Sequence, residues 1–471
     1  MLLTRSDSIA VIDADNEQSY TYEEIACAAE TICSSLELER KGLILILAKN
    51  EIGCLLAYLA ALQSRNAVAL LDANLPPEKI DALIACYQPE IVVDCSLTYT
   101  LSQDLYREST FSSPINVSLK ICKSLSAGKP PAPELKLLLP TSGSTGEFKA
   151  VRLSLNNIES NATSIAKALQ IQSSDRAVLS LPLHYSYGLS VLNSHLISGA
   201  SVVLSSAALT SKDFWSHCRN YSCSSFAGVP YAYEILNRLN PASLDVPTIK
   251  TFTQAGGKLS NKLIEKFDQY CKGIGGRFFV MYGQTEATAR MTILPSEELS
   301  GRIGSVGLAI PGGKIEIHGA NTSDGSGEVV YRGPNVMLGY ANDRADLSCP
   351  DSNQGTLWTG DLGYLDNDGF LYITGRTKRI AKIFGIRLSL DEIESSLQKF
   401  GPTAVISDDQ ILIVCHERGA SANFEPEMVR KRLAEELSVH HSFIRVMEVD
   451  ELPRTGSGKI DYNSLSRKTC L

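Results

Sequence analysis

At 471 residues, with 44% hydrophobic and 20% charged positions, the chain is globular in composition and long enough for more than one folded unit. Its net charge of −8 excludes a general nucleic-acid backbone binder, and Arg5 and Asp7 interrupt the N-terminus before a signal-peptide apolar run develops. The twelve scattered cysteines show no CxxC pair and no metal-ligand spacing, which fits free thiols in a reducing cytoplasm.

In chain order, apolar strands alternate with amphipathic helices. GLILILA (42–48), AVALLD (67–72) and EIVVDC (90–95) read as strands, with helices over 51–63 and from Pro77 between them. LKLLLP (135–140) is a further strand. Ser154 caps a helix in which Ile158, Ala162, Ile165 and Leu169 share one face. No Asp, Glu, Lys or Arg occurs from Ala177 to Ser211. Pro182, His184, Gly188, Asn193 and His195 within it favour buried strand, helix and strand over a membrane span. The segments 224–230, 249–257 and 277–283 are later strands. This alternation predicts mostly parallel sheets covered by helices on both faces, and the length suits two such layers.

From Gly301 the texture changes to short β runs between Gly-rich turns (GSVGLAIPGGKIEIHG, SGEVVYRGP, GFLYITGR), a small β subdomain. After GRTKR come a helix (390–400), a hairpin (403–417) and a helix (426–437), a compact α+β unit. The expected class is therefore α/β, with two domains. Residues 1–376 form a large N-terminal domain of two helix-covered sheets plus the β subdomain, and residues 377–471 form a small α+β C-terminal domain.

Four motifs carry chemistry. In LLLPTSGSTGEFKAV, Gly143 and Gly146 free the backbone to converge its N–H groups on an anion. Thr141, Ser142, Ser144 and Thr145 add hydroxyl donors, and Lys149 adds a positive charge. The spacing is not that of the NTPase P-loop, and alone it reads equally as a Ser/Gly/Thr linker. MYGQTEATAR follows a strand, where ligands of parallel sheets bind, so Thr285 and Glu286 suit a phosphate oxygen and Mg²⁺; an exposed polar turn is the alternative. In TGDLGYLDNDGFLYITGRTKR, Asp361 and Arg376 face one ligand from opposite strand ends, or form a structural ion pair. LPRTGSGKID presents Lys459 on a Gly/Ser loop of the small domain, which has a purpose only if that domain delivers it to a site. GIGGRF lacks the dinucleotide-binding spacing, which argues against a dehydrogenase.

The four motifs in this order resemble the adenylate-forming superfamily of acyl- and aryl-CoA synthetases, non-ribosomal peptide adenylation domains and firefly luciferase, over roughly Tyr20 to Asp461. The resemblance implies an ATP-dependent, AMP-forming acid–thiol ligase. A carboxylic acid becomes acyl-AMP with release of pyrophosphate, and a thiol of CoA or of carrier-protein phosphopantetheine then displaces AMP. It implies that Thr141 to Gly146 and Lys149 hold the β and γ phosphates, that Thr285 touches the α-phosphate and that Glu286 holds Mg²⁺. Tyr282 and Gly283 belong to the same nucleotide motif. Asp361 would accept the ribose hydroxyls with Arg376 assisting, and Gly256 and Gly257 would lie between acyl pocket and adenine. Lys459 would bridge substrate carboxylate and α-phosphate, with Lys378 as the hinge, Gly385 on the face turned to the thiol channel, and Arg387 near a phosphate of nucleotide or CoA. His184 would gate the acyl pocket.

Amino-acid-activating relatives carry an Asp just after that gate. Tyr185, Ser186 and Tyr187 stand here instead, favouring a fatty, alicyclic or aryl acid, since an unpaired ammonium is costly. A stand-alone amino-acid or aryl-acid activating enzyme loading a carrier protein in trans is the alternative. A catalytically inactive binding module would be expected to have lost Glu286, Asp361 or Lys459, and all three are present. Glu147, Phe148 and Ala150 depart from the usual loop, Arg379 stands where Asp is common after the hinge, and the C-terminal unit is short. A cytoplasmic enzyme with no nucleic-acid or membrane partner is expected.

Overall fold

The structure, a computed structural model, describes residues 4–95, 97, 99, 106–115, 117–124, 128–142, 148–319, 325–383, 386–407, 410–419, 424–437, 439–456 and 458–469. Two large sheets dominate residues 9–341. One has nine strands, and its central six, Arg277–Tyr282, Thr251–Gln254, Ser225–Gly228, Arg176–Leu179, Ser201–Leu204 and Ile9–Asp13, run parallel. The other has eight, of which Leu135–Ser142, Ala67–Asp72, Leu43–Ala48 and Ile91–Asp94 are parallel.

The parity of the strand residues explains the layering. Ile44, Ile46, Val68 and Leu70 join one core, which also contains residues of the nine-stranded sheet. Leu43, Leu45, Leu47, Ala67, Ala69 and Leu71 point the other way, against Ile80, Leu83 and Ile84 of the helix Pro77–Tyr87. A strand apolar at every position is thereby buried on both faces. The helices Tyr22–Ser35, Ile52–Gln63, Leu155–Leu169 and Ser186–Ile197 contribute their apolar residues to the first of these cores. The uncharged stretch from Ala177 is strand, helix and strand, and among the described residues no helix is long and apolar enough to cross a membrane.

A four-stranded antiparallel sheet, ordered Lys314–His318, Gly327–Arg332, Thr356–Leu365, Leu371–Arg376, forms the β subdomain. One run expected there divides: Leu308–Ala309 pairs with Thr292–Leu294 at the edge of the nine-stranded sheet, and only Lys314–His318 joins the small one. Past Arg376, the helix Leu390–Leu397, the hairpin Thr403–Ser407/Leu412–Glu417 and the helix Pro426–Glu436 appear as expected. A parallel strand, Ile444–Val449, completes their sheet and was not read from the sequence.

A buried ion pair ties the segment after residue 341 to the eight-stranded sheet. Arg344 meets Glu90 at 2.6 Å, both side chains 8% exposed. The remaining guanidinium hydrogens go to the Gln88 and Lys129 carbonyls, while Glu90 also accepts from the Leu43 and Gly128 amides. Removing one member of so fully satisfied a pair leaves an uncompensated buried charge. Arg344→Met is expected to destabilise the N-terminal domain by about 3–5 kcal/mol, read as a lower urea midpoint with an unchanged slope.

Candidate active site

The site gathers at the carboxyl edge of the nine-stranded sheet. After the strand Arg277–Tyr282 the chain doubles back: a Cβ on Gly283 would lie 1.8 Å from the Ala289 carbonyl oxygen, so only glycine permits the fold. The loop is laced to residues 334–337. Thr288 Oγ1 donates to the Asn335 carbonyl at 2.7 Å, Asn335 Nδ2 donates to the Ala287 and Arg290 carbonyls, and the Met337 amide donates to the Glu286 carbonyl. Thr285 Oγ1 thus sits 3.1 Å from Ser186 Oγ, and Glu286 Oε1 accepts from the Tyr340 hydroxyl at 2.8 Å.

Tyr340 is itself held from both sides. Lys149 Nζ lies 3.4 Å from its ring centroid, and the fully buried Arg152 binds the carbonyls of Leu338, Tyr340, Cys349 and Pro350. Burial, reinforced by the Glu286 carboxylate, raises the Tyr340 phenol above its ordinary pKa, so it remains a proton donor to Glu286. Glu286 retains acceptor capacity for a cation. Among the described residues no cluster of three or more His, Cys, Asp or Glu residues could hold a metal, so one carboxylate plus substrate phosphates is the arrangement that fits Mg²⁺ here.

Asp361, 2% exposed, lies in the small sheet directly opposite Arg376, its cross-strand partner, so the two do not approach from opposite strand ends. Arg376 Nε donates to Asp361 Oδ1 at 2.9 Å. Gln284 Nε2 donates to Oδ2 at 2.6 Å, and the Tyr282 hydroxyl donates to the same oxygen. The carboxylate therefore already serves three donors. Two ribose hydroxyls would exceed its four acceptor sites unless one of these donors gave way.

The C-terminal domain closes the cleft. Arg454 stacks over Tyr231 at 4.4 Å and faces Glu234 at 3.7 Å, while Lys258 Nζ reaches Ser395 Oγ at 3.2 Å. The loop after Arg454 turns tightly, with the Gly458 amide on the Thr455 carbonyl, and brings Lys459 Nζ to 5.7 Å from the Tyr185 ring centroid. Lys459 is exposed as a residue, while protein around its ammonium partly desolvates it. That burial, with nearby Arg376, lowers its pKa against the opposing pull of Glu286 and Asp361. Arg379 pairs with Asp391 at 3.0 Å and Glu394 at 2.7 Å, anchoring the first helix of the C-terminal domain.

Thr285, Glu286, Tyr282, Gly283, Asp361, Arg376, Lys149 and Lys459 thus surround one cleft. Gly256, at φ +86°, faces it: a Cβ there would lie 2.6 Å from the Tyr185 hydroxyl, and the adjacent Gly257 carbonyl accepts from Gln254. His184 lies beside Asp72, which faces Gly456 of the loop that carries Lys459. Its Nε2 is 3.9 Å from Asp72 Oδ2, and burial lowers its pKa despite that carboxylate. The aromatic between Gly256 and Lys459 is its neighbour Tyr185, whose phenol burial pushes up to about 12. Gly143, Ser144, Thr145, Gly146 and Gly385 lie outside the described residues. Thr141 and Ser142 end the strand Leu135–Ser142, Lys378 lies in the turn Thr377–Arg379, and Arg387 lies in the strand Ile386–Ser389. Sequence reading did not single out Tyr185 as such, nor Gln284, Tyr340 and Arg152. Tyr185 adjoins a named motif, but the other contacts cross long stretches of chain.

Residues 3–341 match the family model described as AMP-binding enzyme. An oxalate–CoA ligase of Arabidopsis thaliana is 26% identical over 93% of this chain and 90% of its own length. A 2-succinylbenzoate–CoA ligase of Bacillus subtilis is 30% identical over 70% of this chain and 68% of its own. The solved o-succinylbenzoate CoA synthetase of Bacillus subtilis, in complex with its acyl-adenylate intermediate, superimposes with a TM-score of 0.73, covering 97% of this chain and 95% of that one at 23% identity.

Removing the Tyr340 hydroxyl frees Glu286 to rotate. Tyr340→Phe is expected to raise the Mg²⁺ concentration for half-maximal pyrophosphate release about 10–100-fold, the usual effect of losing a group that orients a metal ligand. An unchanged Mg²⁺ titration would remove Glu286 from the metal site.

Proposed function

The chain belongs to the AMP-binding enzyme family, and we propose that it is an ATP-dependent, AMP-forming acid–thiol ligase. A carboxylate oxygen of the acid attacks the α-phosphorus of ATP, pyrophosphate leaves, and a thiolate then takes the acyl group as AMP departs. The observation that carries this reading is the position of Lys459: the small domain holds its ammonium inside the cleft of the large one, over Tyr185 and within electrostatic reach of Glu286, Asp361 and Arg376. Relatives named as CoA ligases support CoA as the acceptor. Phosphopantetheine of a carrier protein presents the same thiol.

Negative charge accumulates as a carboxylate approaches a phosphate. Lys459 bridges the two and offsets that charge, and the Thr285 hydroxyl donates to the α-phosphate. Mg²⁺ bound to Glu286 would withdraw charge from the phosphate oxygens. Lys149 suits the outer phosphates and Asp361 the ribose. Turning about Lys378 would carry Lys459 out of the cleft, breaking the Arg454–Glu234 and Lys258–Ser395 contacts, which are few and partly exposed, so the movement costs little.

Lys459→Ala is expected to lower pyrophosphate-linked adenylation about 10²–10³-fold, while thioester formation from preformed acyl-adenylate survives. Equal loss of both half-reactions would refute delivery of Lys459 by domain rotation. Because Lys459's pKa lies below the ordinary 10.5 in the free protein, rising pH should remove its charge early. The basic limb of kcat/KM for adenylation should then fall below pH 10.5 and move up in Lys459→Arg, whose guanidinium stays charged.

A further inference from the structure

The strand Ala67–Asp72 ends, at the carboxyl edge of the eight-stranded sheet, on a carboxylate whose two oxygens are used differently. Oδ1 accepts from the Asn74 amide at 2.9 Å and from Asn74 Nδ2 at 3.0 Å, and the Leu75 amide closes the turn on the Asp72 carbonyl. These local bonds fix the direction of the carboxylate. Oδ2 receives no hydrogen bond among the described residues, since His184 Nε2, at 3.9 Å, is beyond bonding reach. An oxygen held in one direction without a donor is set to receive one.

That oxygen faces the hairpin that carries Lys459. Arg454 and Ile460 pair at its base, the Thr455 amide donates to the Lys459 carbonyl at 2.8 Å, and the Gly458 amide donates to the Thr455 carbonyl at 2.8 Å. Gly456, at the tip, makes no backbone hydrogen bond among the described residues, and a Cβ added there would lie 3.7 Å from Asp72 Oδ2. On the other side, a Cβ on Gly458 would meet Val229 Cγ2 at 3.1 Å, while Arg454 covers Tyr231 and faces Glu234. Val229 follows the strand Ser225–Gly228, and Tyr231 and Glu234 lie in the helix Pro230–Leu239, all on the side of the nine-stranded sheet. The hairpin is therefore seated between the two large sheets. Apolar surface and an ion pair hold it from one side, and Asp72 meets it from the other.

We infer that Asp72 is a positioning residue for adenylation: its carboxylate receives the tip of the Lys459 hairpin when the small domain docks, and so sets where the Lys459 ammonium comes to rest. This rests on the acid-activating reading above and adds to it a residue outside the four motifs. Gly456 lies three residues before Lys459, so a shift at the tip displaces the ammonium from the reacting atoms. A misplacement of about 1 Å costs about 10²-fold in rate. Once the small domain has turned away, Asp72 has no hairpin to hold, so it serves the first half-reaction alone.

The test uses the full chain. Asp72→Ala should lower pyrophosphate-linked adenylation about 10–100-fold through kcat, with KM for ATP and for the acid nearly unchanged. Thioester formation from preformed acyl-adenylate should keep its rate. Gly456→Ala, whose Cβ makes only ordinary contact, should be active, whereas Gly456→Asp sets a second carboxylate against Asp72 and should lose adenylation to a similar degree. Asp72→Asn added to Gly456→Asp should recover about tenfold, a coupling that a merely structural Asp72 would not give. Should Asp72→Ala fail to fold, Asp72→Asn and the Gly456 variants carry the comparison. A reading independent of activity is amide exchange of peptides spanning Arg454 to Ile460 in the ligand-free protein. It should quicken in Asp72→Ala and Gly456→Asp but not in Gly456→Ala. If no acid yields pyrophosphate yet exchange follows this pattern, the ligase reading fails and the docking contact stands. Equal loss of both half-reactions, additive losses in the double variant, or unchanged exchange overturns the inference and leaves Asp72 as the cap of its own turn.

Discussion

The carboxylate of Asp361 is the point on which the three parts of the molecule converge. Tyr282 and Gln284 reach it from the end of the nine-stranded sheet, Asp361 itself belongs to the small sheet, and Arg376, its cross-strand partner, ends that sheet's last strand. A nearly inaccessible carboxylate needs its oxygens hydrogen-bonded, and all three donors serve it. Meeting that need fixes how the small sheet sits on the large one and where the C-terminal domain begins.

A second support repeats the logic with opposite sign. Arg152 is buried without a carboxylate and is satisfied by four carbonyls from one short stretch, 338–350. This pins Tyr340, whose ring carries Lys149 and whose hydroxyl orients Glu286. Glu286 and Lys149 are thereby positioned by one aromatic residue. Preorganisation of this kind is what lets charged groups act without reorientation cost as charge develops on a phosphate.

The parts legible in the sequence were those with a local signature. Strands apolar at every position announced burial on both faces, the Ser154 cap announced its helix, and the ordered motifs announced the cleft. What escaped depended on contacts distant in sequence. Arg344 and Glu90 lie 254 residues apart and Tyr340 and Glu286 54 apart, so no periodicity marks either pair. The choice between His184 and Tyr185 illustrates a finer limit. Adjacent residues before a helix meet different partners, one Asp72 and the other Lys459, and type alone does not say which partner each finds. The division of residues 304–319 between two sheets has the same origin: short β runs pair with whichever edge is nearest, and edges are a tertiary property.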